Sequence, residues 1–183
     1  MTCHSRITRA IRGGALPLLG VSSMLLSGCL SGGSGGSDSG SSAEPQVSSG
    51  VFIDAPVAGL NYRTDSGSGE TDADGRFEYR GTETISFSLA GIELGSAGGA
   101  SQLTPLDIVA DATDLSDPKV VNRARLLQSL DVDGNLSNGI DISEQIRSAI
   151  TDYLAANPAV SLDFSDTGSF ESAMAGLLTA LNT

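Results

Sequence analysis

The stretch Gly69-Glu70-Thr71-Asp72-Ala73-Asp74-Gly75-Arg76-Phe77-Glu78-Tyr79-Arg80 decides how this chain folds. From Arg76 to Arg80, aromatic and charged side chains alternate. That period of two puts one set on a buried face and the other in water. Asp72-Ala73-Asp74-Gly75 just before it is turn chemistry, because aspartates bond their own backbone and glycine accepts a positive φ. Together these predict half-buried antiparallel strands meeting at a hairpin. The same period recurs in Ile85-Ser86-Phe87-Ser88-Leu89. Strand-like runs VFIDAPV (51–57), GLNYRT (59–64) and TISFSLAGIELG (84–95) surround the pair, separated by Asp, Gly and Ser turns.

Past Thr104 the period becomes helical. Asp117-Pro118 offers an N-cap and a first-turn proline, and Val120, Ala124, Leu127 and Leu130 follow at helical spacing. A second helix is expected from near Ser143, with Ile146, Ala149, Ile150, Tyr153 and Leu154 on one face and Asn157-Pro158 ending it. A third is expected from about Ser169 to Leu181, striped by Phe170, Met174, Leu177, Leu178 and Leu181. Strands first and helices after predict an α+β fold in one domain over 51–183. Its β half, 51–97, is small, antiparallel and sandwich-like; about three α-helices follow within 104–182.

The N-terminus reads as a secretory signal. Arg6, Arg9 and Arg12 precede an apolar run, GGALPLLGVSSMLL (13–26), which is too short for a membrane span of about 20 residues. The following Leu26-Ser27-Gly28-Cys29 resembles the lipobox of bacterial lipoproteins. That resemblance implies removal of residues 1–28, diacylglycerol on the Cys29 thiol and acylation, such as with palmitate, of the new amine. Several buried acyl chains, at ~0.8 kcal/mol per CH₂, give stable anchoring to a membrane. It also implies an outer-membrane destination, since Leu30 stands where aspartate retains Gram-negative lipoproteins in the inner membrane. Residues 29–50 (CLSGGSGGSDSGSSAEPQVSSG) then read as a flexible tether without structure, spanning about 25 Å.

Cleavage would leave seven basic residues against 22 acids, 7 − 22 = −15. A polyanion of that kind excludes nucleic acid as a partner, which needs clustered Lys and Arg. Cys3 and His4 would leave with the signal, and the rest of the chain has no histidine and no tryptophan. Ser-His-Asp and Cys-His catalysis and a histidine zinc site are thereby removed, and no Gly-Lys-Ser/Thr phosphate loop exists. A carboxylate pair of the glycosidase kind is the remaining route to a glycan hydrolase. Sugar clefts usually stack their substrate on aromatics, and Tyr62, Tyr79 and Tyr153 are the only tyrosines. The expectation is a protein that is not an enzyme.

Asp131-Val132-Asp133-Gly134-Asn135 places oxygen side chains at alternate positions between two expected helices, and resembles the start of an EF-hand-type calcium loop. Asp131, Asp133 and Asn135 are therefore candidate calcium ligands. The pattern departs at its sixth and twelfth positions, Leu136 and Ile142, where that loop has glycine and a bidentate acid. The alternative is a helix-ending loop whose Asp, Asn and Gly residues satisfy the backbone.

Thr71-Asp72-Ala73-Asp74-Gly75-Arg76-Phe77 resembles the hairpin of carboxypeptidase-regulatory-like, transthyretin-like modules of secreted bacterial proteins, over roughly 51–94. With Gly91-Ile92-Glu93-Leu94-Gly95, Thr104-Pro105-Leu106-Asp107 and Arg125-Leu126-Leu127-Gln128-Ser129-Leu130-Asp131, it resembles an N-terminal module of secreted lipoproteins and adhesin-like proteins. The resemblance implies a non-enzymatic envelope or cell-surface interaction or structural module. Its partners would be the membrane, through the lipid, and an envelope or cell-surface protein or glycan. A calcium-binding adhesion-type module is the alternative.

Overall fold

The computed structural model describes residues 46–182. The expected signal segment 1–28, the candidate lipidation site Cys29 and the expected tether up to residue 45 lie outside the described residues.

Strand β1, Val47–Phe52, pairs antiparallel with β5, Arg76–Arg80, and parallel with β8, Gln102–Leu103. A second sheet takes the order β4–β3–β6–β7, all antiparallel, from Ser68–Glu70, Asn61–Arg63, Thr84–Leu89 and Ile92–Gly98. The period of two sets the burial of each strand. On β6, Ile85, Phe87 and Leu89 are fully buried, while Thr84 and Ser86 are exposed. The inner faces of the two sheets meet through aromatic rings. Phe87 of β6 lies 4.9 Å from Phe52 of β1 and 5.2 Å, edge-on, from Phe77 of β5. Such pairs add about 0.5–1.5 kcal/mol beyond the area they bury. The α+β expectation, with a sandwich-like β half, is what the chain forms.

Three local expectations are corrected. The domain begins before residue 51, because Val47 to Val51 pair in register with Arg80 to Arg76. Gly50 is the residue this pairing requires: a Cβ there would sit 2.3 Å from Ala100 O and 2.4 Å from the Phe77 ring. Only a bare glycine lets that ring lie across β1. The run 84–95 is two strands, turned at Ala90 and Gly91, which both take positive φ (49° and 87°). The 71–75 turn does not close a hairpin; it carries the chain from β4 in one sheet to β5 in the other.

Helices α1, Pro118–Ser129, α2, Glu144–Ala156, and α3, Thr167–Leu181, begin at the side-chain caps Asp117, Ser143 and Asp166. Each cap accepts a backbone N–H of the first turn that has no partner within the helix. Val120, Leu126 and Leu127 of α1, Ile150 of α2, and Phe170, Met174 and Leu177 of α3 complete a core continuous with that of the sheets. Between α1 and α2 a two-residue strand β9, Ile140–Asp141, pairs parallel with β2, Val57–Ala58.

Candidate functional site

Loop 131–139 connects α1 to β9, and its acids are placed by what the loop must do. Ile140 N–H donates to Pro56 O at 2.8 Å, which ties the end of the loop to the segment before β2. Asp131 Oδ1 accepts the Asp141 N–H at 3.0 Å, and Val132 N–H donates to Asp141 O at 3.0 Å. Asp133 accepts from Asn135 N–H (2.8 Å) through one oxygen and from the Asn138 amide (2.9 Å) through the other. Asn135 Oδ1 accepts the Ser137 hydroxyl at 2.7 Å and its N–H at 3.3 Å. The Asn138 amide and the Asn135 N–H hold the Asp133 carboxyl below its ordinary range. Gly134 and Gly139 take positive φ of 67° and 105°.

Thus the oxygens of Asp133 and Asn135 serve the loop's own donors, as capping side chains do. Asp131 differs in one respect: its Oδ2 is buried and has no hydrogen-bond partner. Among the described residues no group of three or more acids, histidines or cysteines is placed to hold a metal ion. Cys29, the candidate lipidation site, lies outside the described residues.

The other carboxyls with shifted pKa are turn caps as well. Asp114 is lowered by the Ser116 hydroxyl and N–H, Asp163 by those of Ser165, and Asp166 by the Ser169 N–H and hydroxyl. At Glu83, desolvation pushes the pKa up, but the Arg80 N–H and Ser66 hydroxyl outweigh it. A general acid needs the opposite shift. The broad polar depression beside the β3–β4 hairpin contains Asp65 and Glu70. Glu70 is ion-paired there with Arg147 at 2.7 Å.

One surface gathers residues that the sequence places in separate motifs and marks as no site. Ile53, Pro105, Val120, Val121 and Ala124 form an apolar groove of about 400 Å³ beside α1. Leu115 stands at its edge with 69% of its surface exposed. Leu115 itself is an isolated leucine among polar residues in Asp111-Ala112-Thr113-Asp114-Leu115-Ser116-Asp117 and belongs to no periodic pattern. Among the described residues no helix is long and apolar enough to cross a membrane.

No family model matches the chain, and no solved structure matches it. Over 68 residues it is 40% identical to the "Putative lipoprotein AcfD homolog" of Escherichia coli (strain K12). The matched stretch is 36% of this chain and 4% of that protein, so the similarity covers a small part of a far longer relative.

Proposed function

We propose that this chain is a lipid-anchored module of the bacterial cell envelope, attached through Cys29, that works by binding or scaffolding and not by catalysis. The observation that carries the reading is the 40% identity over 68 residues to a protein named as a lipoprotein, in a chain with its own Leu-Ser-Gly-Cys motif at 26–29. Two facing sheets in the β half support placing it with carboxypeptidase-regulatory-like, transthyretin-like modules, although the Thr71–Gly75 turn passes between the sheets where the resemblance implies a hairpin. Leu30 supports the outer membrane as its destination.

Growth with an alkyne-bearing fatty acid tests the anchor. The chain should take up label and sediment with outer-membrane vesicles, Cys29→Ser should abolish both, and Leu30→Asp should move the protein to the inner membrane. An unlabelled wild-type chain would refute lipidation. In-cell crosslinking addresses the binding role, and its recovery free of any envelope or cell-surface protein or glycan across growth conditions would count against it.

A second reading keeps Asp131, Asp133 and Asn135 as calcium ligands, and the buried, unpartnered Asp131 Oδ2 favours it. Coordination would require Asp133 and Asn135 to exchange their turn hydrogen bonds for the ion, since calcium takes six to eight oxygens. Calorimetry with millimolar calcium should then give heat that Asp131→Asn removes. No heat from the wild-type chain sinks this reading.

A further inference from the structure

The groove beside α1 is an apolar surface with one carboxylate, Asp54, in its lining and two more, Asp107 and Asp114, next to residues that line it. Pro105 and Val120 are buried at its base, and Ile53, Val121 and Ala124 are half-buried around it. Its one cation, Arg125, is already 3.0 Å from Glu171 of α3. The carboxylates around it face no cation through their hydrogen bonds. Asp54 accepts from the neutral Gln128 amide at 2.9 Å. Asp107 accepts from the N–H and hydroxyl of Thr104, which lines the groove. Asp114, next to Leu115, accepts from the N–H and hydroxyl of Ser116. Asp54 lines the groove and Asp107 and Asp114 lie beside residues that line it, so the charge left unpaired near the apolar surface is that of carboxylates.

We propose that this groove receives a basic, amphipathic segment of another polypeptide, which seats one large aliphatic side chain against Val121 and Ala124. This rests on the binding reading given above and names the chemistry of its partner. An apolar anchor fills the groove, and flanking Lys or Arg residues meet Asp54, Asp107 and Asp114, the pattern of a helix laid in a groove. A second copy of the chain fits poorly. A two-fold contact would set the same carboxylates against one another, in a molecule whose sequence from Cys29 onward carries −15. Anionic lipid is repelled for the same reason.

The test uses the full chain displayed on phosphatidylcholine vesicles, with bare vesicles as the blank. One fluorescent probe peptide carries leucines at helical spacing among lysines; the other replaces every leucine by serine at equal charge. At physiological salt the leucine peptide should bind about tenfold or more tightly than the serine peptide, the effect of burying one leucine side chain. Ala124→Glu should erase that preference even though it adds negative charge, whereas simple attraction of a cation to a polyanion would grow. Leu115→Ser changes an exposed residue and should reduce the preference severalfold, so the groove is probed even if Ala124→Glu does not fold. Equal binding of the two peptides, tighter binding by Ala124→Glu, or no effect of Leu115→Ser would each overturn the proposal. So would a dimer in sedimentation that Leu115→Ser dissolves, which would assign the groove to a second copy. Vesicle attachment is scored separately from peptide binding, so failure of the lipid anchor and failure of the groove are distinguishable.

Discussion

Gly75 is the residue on which the crossing between sheets turns. Its φ is +72°, and its carbonyl accepts the Phe52 N–H at 2.8 Å, which fixes the turn to β1. A Cβ at this position would lie 2.7 Å from Phe52 O and 3.0 Å from Val57 N, both backbone atoms that cannot move alone. Gly134 has nearly the same φ, +67°, with open space around it. Gly134→Ala should therefore cost only the left-handed term of about 1–2 kcal/mol, and Gly75→Ala clearly more, in urea denaturation. Equal losses would mean that the contact with β1 is irrelevant. The capping carboxyls give a second residue-scale prediction. The Ser169 N–H and hydroxyl lower Asp166 below its ordinary 3.8, against desolvation and the weaker repulsion of Asp163. A depressed folded pKa contributes stability that is complete above the unfolded value and is lost as pH falls through the folded one. Asp166→Asn keeps a capping oxygen but not the charge. The wild type should be the more stable at neutral pH, and the gap should close below about pH 4. A gap unchanged down to pH 2 would show that the carboxylate charge contributes nothing to the cap.

Among the elements, α2 is tied to the second sheet by an ion pair from Arg147. Arg147 pairs with Glu70 of β4 at 2.7 Å and also donates to Ile142 O; its side chain is 17% exposed and that of Glu70 45%. Removing Arg147 leaves a buried carbonyl without its donor, whereas removing Glu70 leaves an arginine that water can still reach. Arg147→Ala should cost about 1–3 kcal/mol and Glu70→Ala less. Equal small losses would show the link to be a surface ion pair of little value. The edge of β5 shows a different economy. Asp72 Oδ1 accepts the Arg76 N–H and Glu83 Oε2 the Arg80 N–H, so both ends of that edge are occupied by short-range bonds. This limits pairing with foreign strands. Such elements were legible in proportion to how local their causes are. Asp117-Pro118 and Asn157-Pro158 bound helices through their own chemistry, and the alternation of Arg76 to Arg80 gave its strand. Ser68–Glu70 has no apolar alternation, and its extended state comes from pairing with Asn61–Arg63. At 131–135 the spacing of oxygens was readable. Which donors they would turn toward was not, because Asn138 and Asp141 come near only once β9 meets β2.

At the scale of the molecule, charge is the dominant imbalance. From Cys29 onward there are 22 acids and seven basic residues, and the arginines of the helices are used to cross-link elements. Arg123 donates to Leu94 O of β7 and lies 4.3 Å from the Phe164 ring centre. Burial lowers its pKa, against the nearby Asp117 charge. Arg125 and Arg147 bind Glu171 and Glu70. Salt weakens these few attractions and the far more numerous repulsions together, so the repulsions decide the sign. The melting temperature should rise with sodium chloride, most steeply up to about 0.15 M, where the screening length falls to about 8 Å. A fall would mean that the arginine links outweigh the acidic surface. The same titration separates screening from a specific ion. If calcium acts only as a counter-ion, it should raise the wild type and Asp131→Asn alike at matched ionic strength. If it enters the 131–135 loop, the wild type should gain further with calcium concentration, as mass action on the folded state requires, and the variant should not.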